Sequence, residues 1–146
     1  MEEYMPRKIQ CLLIILAFIG IAGLVAGCTA PRPDPETGIT AWISAVNNHD
    51  INRIYDLAPV ELKDRISRQD FTLAQQNNSF LSPGNTITRY MVMARSGSGE
   101  NAEITAELFM KSAVAGTGDG QVIPVYIKFV EVFESGEWKV WTTTPQ

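Results

Sequence analysis

Asn101-Ala102-Glu103-Ile104-Thr105-Ala106-Glu107-Leu108-Phe109-Met110 sets Ala102, Ile104, Ala106, Leu108 and Met110 in alternation with Asn101, Glu103, Thr105 and Glu107. Successive side chains of a strand point to opposite faces, so a period of two predicts a strand with one buried and one wet face. The same period extends in both directions. Upstream, Thr86 to Arg95 reads as the preceding strand, joined through Ser96-Gly97-Ser98-Gly99. Downstream, Gly116-Thr117-Gly118-Asp119-Gly120 is a flexible loop leading to a strand over Val122 to Glu134, in which Ile123, Val125, Ile127 and Phe129 share a face. Ser135-Gly136 then fits a tight hairpin turn into Trp138 to Thr143. The C-terminal half is therefore an antiparallel meander of about four strands.

Before Thr86 the period is that of a helix. Asp34-Pro35-Glu36 is a helix start: a capping side chain, proline at the first helical position, then an acid near the positive end of the dipole. Ile39, Trp42, Ile43 and Val46 follow at i, i+3, i+4 and i+7, one apolar stripe. Asn47-Asn48 stops this helix and Asp50 caps a second, whose apolar side is Ile51, Ile54 and Tyr55. Pro59 restarts the chain for a turn or two carrying Leu62 and Ile66, and Ser67 to Asp70 fits a capping box opening a helical piece with Phe71 and Ala74. Helices first and a meander after them predict an α+β domain with the helices packed on one face of the sheet.

The N-terminus carries a different signal. Arg7-Lys8 precedes the apolar run Cys11 to Cys28, CLLIILAFIGIAGLVAGC. A charged head, an apolar core and small residues at the end make a secretory leader. Its uninterrupted apolar part, about 16 residues, is short of the ~20 that an upright helix needs to cross a bilayer. Leu24-Val25-Ala26-Gly27-Cys28 resembles the lipobox of prokaryotic lipoproteins. That resemblance implies removal of residues 1–27, acylation of Cys28, and anchoring by membrane lipid on the extracytoplasmic face. An uncleaved signal anchor is the alternative reading. Residues 28–34 then form the lipidated cysteine and a short proline-rich tether, and residues 35–146 the domain.

The formal charge of −4 survives cleavage, because Glu2 and Glu3 cancel Arg7 and Lys8. A mildly acidic chain with scattered basic residues has no footprint for nucleic acid. Loss of Cys11 and acylation of Cys28 would leave the domain without a thiol, which excludes a disulfide framework and a cysteine metal site.

The order of elements is similar to that of the NTF2-like (cystatin-related) superfamily, in particular its small secreted lipoproteins. Ala41-Trp42-Ile43-Ser44-Ala45-Val46-Asn47-Asn48-His49-Asp50, Ile54-Tyr55-Asp56-Leu57 and the Ser135-Gly136-Glu137-Trp138-Lys139-Val140-Trp141 hairpin carry that likeness. It implies a curved sheet wrapped around the first helix as a cone, and, by analogy, a homodimer paired through the sheet face.

Enzymes of that superfamily place an acid or histidine inside the cone as a general base, which requires access and a pKa near the working pH. His49, the one histidine, reads as an exposed turn residue. Glu103 and Glu107 fall on the wet face. Glu131 shares the phase of Ile127, Phe129 and Phe133, so it is buried unless a bulge turns it outward, and Asp56 is a second weak candidate base. The 116–120 loop lacks the lysine and helix of a phosphate loop. Trp42, Tyr55, Phe71, Tyr90, Phe129 and Trp141, with Met91 and Met93, are candidate pocket-lining residues that would otherwise fill the cone. The expectation is a non-catalytic module binding a small apolar ligand or a protein partner, with no cofactor and no metal. The alternatives are a small isomerase or hydrolase using Glu131 or Asp56, or a structural, membrane-proximal domain.

Overall fold

A computed structural model describes residues 31–112 and 120–143. The leader, Cys28 and most of the 116–120 loop lie outside the described residues. Among those described, no helix is long and apolar enough to cross a membrane.

The domain is α+β. Four helices, α1 (Glu36–Asn47), α2 (Ile51–Leu57), α3 (Val60–Lys63) and α4 (Arg68–Ala74), are followed by two 3₁₀ turns at Gln75–Asn77 and Ser79–Leu81. An open antiparallel sheet then runs β1 (Thr86–Ser98), β2 (Asn101–Ser112), β3 (Gln121–Glu134) and β4 (Glu137–Thr143), in the order of the chain.

Local chemistry sets the boundaries. Asp34 Oδ1 accepts the Glu36 N–H at 2.9 Å, Asp50 Oδ1 accepts the Arg53 N–H at 2.9 Å, and Ser67 Oγ accepts the Asp70 N–H at 3.2 Å. Each satisfies a helix N–H that has no partner within its own helix. At the β3–β4 hairpin Ser135 and Gly136 take φ of 53° and 87°, the pair of positive values that matches the twist of flanking strands.

On β2, Ala102, Ile104, Ala106, Leu108 and Met110 are all buried, as the alternation requires. They meet α1 through Ile39, Trp42, Ala45 and Val46, while Ile43 is only half-buried. Trp42 sets its ring edge-on against Phe129 (centroids 5.4 Å apart) and Phe80 (5.8 Å). Fully burying each large side chain such as Ile39, Leu108 or Phe129 contributes about 1.5–3 kcal/mol, so this helix–sheet layer is what holds the domain.

Two departures from the expected strands matter. β1 runs three residues beyond Arg95, to Ser98, so the Ser96–Gly99 linker shrinks to a tight turn. β1 also carries register shifts between Ile87 and Arg89 and between Val92 and Ala94. Bulges re-aim the residues that follow them. After the second shift Arg95 stands opposite Ile104, and so on the helix-packed face with it. On β3 the inward set is Ile127, Phe129 and Glu131, whereas Ile123 is 38% exposed.

Candidate functional site

Two features of the helix-packed face of the sheet carry chemistry. The first is a hollow of about 170 Å³ between the helices and the end of β4. Trp42 and Val46 of α1, Ile54 of α2, Leu62 of α3 and Phe71 of α4 supply its apolar wall, with Val140 and Trp141 of β4. Gln75, Asn78 and Thr142 add the polar atoms. Asn78 is already fixed, since its side-chain N–H donates to Gln75 Oε1 and its Oδ1 accepts the Phe80 N–H. A mostly apolar lining with a few convergent polar groups is the ordinary composition of a small-molecule site.

The second feature is Glu131. It has no solvent exposure, and among the described residues neither carboxyl oxygen has a hydrogen-bond partner. The ladders on both sides of β3 run without a register shift, so no bulge turns Glu131 outward. It lies between Ala102 on β2 and Val140 on β4. Above it is Gly38 of α1, where a Cβ would come within 3.1 Å of Glu131 Oε2 and 2.6 Å of Val140 Cγ2. Glycine is what lets the helix approach this closely. Burial pushes the carboxyl up to about 8; the Arg95 charge opposes this and the charges of Asp34 and Glu36 add to it.

Arg95 ties the chain over this carboxyl. Its guanidinium bonds Asp34 Oδ2 at 3.3 Å and pairs with Glu36 Oε1. The Tyr90 hydroxyl donates to Glu36 Oε2 at 3.3 Å, and the Trp138 indole N–H donates to the Pro33 carbonyl at 2.7 Å.

Of the six aromatic residues expected to line a pocket, Trp42, Phe71 and Trp141 border the hollow. Tyr55 instead packs edge-on against Phe71 and donates its hydroxyl to the Ile66 carbonyl at 2.9 Å. Phe129 is fully buried core, and Tyr90 borders a separate shallow groove with Thr40 and Ile43. Asp56 does not fit a general base. It is half-exposed and paired with Arg68 at 2.6 Å, and that hydrogen bond holds its carboxyl below the usual range. His49 is exposed in a left-handed turn conformation with φ 53°. Glu103 is exposed on the outer face and pairs with Lys128 at 2.9 Å.

Arg95, Gln75 and Asn78 were not legible as site residues. Only the second bulge brings Arg95 onto the helix-packed face, and no residue in Val92-Met93-Ala94 announces a bulge. Searches against protein families and against curated protein sequences found no match to this chain.

Proposed function

We propose that this chain is a lipoprotein whose extracytoplasmic, NTF2-like domain binds a small apolar ligand without catalysis. In this reading residues 1–27 are removed, Cys28 is acylated, and the 28–34 tether holds the domain near the membrane. The leader sequence supports the anchor, and helices packed on a four-stranded meander are compatible with the cone. The observation that carries ligand binding is the hollow bordered by Trp42, Val46, Ile54 and Phe71. At about 170 Å³ it belongs to the size class that holds a single aromatic ring.

Catalysis through a pocket carboxylate has less support. Glu131 has the shifted pKa that a general base needs, but it does not border the hollow, and Asp56 is locked to Arg68. A homodimer through the outer sheet face is supported by Met91, Met93 and Tyr126, each about half exposed there. Light scattering of the Met91→Glu variant beside the wild type tests it: a dimer that persists unchanged removes that face as the interface.

For the ligand, the experiment is a titration of the full chain in lipid nanodiscs with p-cresol, a single ring bearing one hydroxyl. Saturable chemical-shift changes at the Trp42 and Trp141 indoles are expected, and Leu62→Trp, which fills the hollow, should abolish them. No saturable change in the wild type overturns the binding reading. Mass spectrometry of the mature N-terminus tests the anchor separately: a chain starting anywhere but at acylated Cys28 overturns it.

A further inference from the structure

We propose that the strap from Pro33 to Gly38 is a pH-operated latch, shut while Glu131 is protonated and released when Glu131 ionises and draws Arg95 away from Asp34 and Glu36. The inference is independent of what the hollow binds.

The strap is held by a few identifiable contacts. Trp138 holds Pro33 through its indole N–H, Arg95 clamps Asp34 and Glu36, Tyr90 bonds Glu36, and Gly38 rests on Glu131. A neutral carboxyl fits beneath this strap at the moderate cost of a buried polar group that lacks a hydrogen-bond partner. An ionised one does not, because a charge buried without donors or a counter-ion is far more costly than a neutral polar group.

The charges that act on ionised Glu131 favour an exchange of partners for Arg95. From the strap and α1 come Asp34 and Glu36, which repel it, and from β1 comes Arg95, which attracts it. Its ladder partners Ala102 on β2 and Val140 on β4 contribute no charge, and neither does Trp138 below Gly38. Glu103 and Lys139 belong to the opposite phase of their strands, and Lys139 is engaged by Glu137 and the Asp56 carbonyl. The Tyr90 phenol meets Glu36 rather than Glu131.

Arg95 is 41% exposed, so it can swing inward without dismantling the core. Its departure leaves Asp34 and Glu36 without their cation, beside a third negative charge. The strap then lifts and admits water to Glu131. The latch therefore sets where the folded domain begins: at Pro33 when shut, and beyond Gly38 when open.

The test follows the Trp138 indole N–H by NMR from pH 6 to 10, using the full chain in nanodiscs with ¹⁵N-labelled tryptophan. Assignment comes from Trp42→Phe, Trp138→Phe and Trp141→Phe. The Trp138 signal should shift with a midpoint near 8 and exchange faster with water above it, while Trp42 in the core holds still. In Glu131→Gln the Trp138 signal should stay fixed over the whole range. A Trp138 signal that does not respond in the wild type overturns the latch, as does an equal response in Glu131→Gln. If that variant does not fold, wild-type protein with ¹³C-labelled glutamate carboxyls decides the matter. A buried carboxyl titrating at the Trp138 midpoint supports the latch, and a Trp138 change with no carboxyl titrating there overturns it.

Discussion

Val140 borders two regions of the helix-packed face that treat burial in opposite ways. On one side it walls the hollow with Trp42 and Phe71, where apolar and uncharged polar groups surround space. On the other it is the ladder partner of Glu131, where an ionisable group is fully buried and has no hydrogen-bond partner among the described residues. The hollow forgoes dispersion contacts, because its lining atoms have no neighbours on one side. The Glu131 side is close-packed and bears a desolvation cost instead, which falls almost wholly on the charged form. One region is thus suited to receive a molecule, and the other to respond to a proton.

The largest expected effect concerns the proton. A glutamate of ordinary pKa 4.5 is raised here to about 8, so below 4.5 both the folded and unfolded chains carry the proton and nothing is lost. Between those values the unfolded chain releases its proton and the folded chain keeps it, so stability falls as pH rises. At about 1.4 kcal/mol per pH unit the loss approaches 4–5 kcal/mol by pH 8, an upper bound that opening of the strap would reduce. Denaturant unfolding at pH 5, 7 and 9 checks this. Glu131→Gln should flatten the slope and exceed the wild type in stability at pH 9. An equally steep decline in the variant would assign the slope to other groups.

Val140→Ala attacks the partition itself. Losing two buried methyl groups costs about 2–3 kcal/mol, counting transfer and the enlarged cavity. It also joins the hollow to the Glu131 carboxyl. Water admitted there should bring the Glu131 midpoint down toward 4.5, which a ¹³C-carboxyl titration reads directly. A midpoint that stays near 8 would mean that the strap, not Val140, keeps water out.

Gly38→Ala presses on the same boundary from the helix. Helix propensity alone would favour alanine by about 1 kcal/mol. Against that, the new Cβ lies 2.6 Å from Val140 Cγ2 and 3.1 Å from Trp138 Cβ, and overpacking of this kind costs about 1–3 kcal/mol. The clash should win narrowly, because Val140 has the hollow to move into. The expected outcome is a net loss of about 1 kcal/mol in denaturant unfolding, with weaker p-cresol binding as the hollow shrinks.

How much of this was legible in the sequence depends on the range of the interaction. The alternation on β2 and the stripe on α1 are local periodicities, and the caps at Asp34, Asp50 and Ser67 act over two or three residues. All of these could be read from the chain. Glu131 was placed in the apolar phase by the same counting, but whether it stays inward depends on ladder register, which the residues around it do not encode. Arg95 escaped because a bulge shifts the phase by one residue, moving it from the side of Met91 and Met93 to the helix-packed face. The hollow escaped for a different reason: it is what five elements leave unfilled, and no single segment carries a sign of it.

The smallest expected effect compares one carboxyl with another. Asp56 and Glu131 were alike as candidate bases, yet Asp56 is half-exposed beside Arg68 and its pKa moves the opposite way. A depressed carboxylate contributes stability that is present above its unfolded pKa of 3.8 and lost as pH falls through the lower folded value. Solvent screening keeps such an exposed pair to about 0–1 kcal/mol. Arg68 also keeps its place over the Tyr55 ring, 4.5 Å from the centroid, and its bond to the Asn52 carbonyl when Asp56 is neutralised. Asp56→Asn should therefore cost at most about 0.5 kcal/mol at pH 7 and low salt, and nothing measurable in 0.5 M salt. Binding of p-cresol should not change, because Asp56 does not border the hollow. A loss of binding in Asp56→Asn would show that the Arg68 pair holds α4, and with it Phe71, against the hollow.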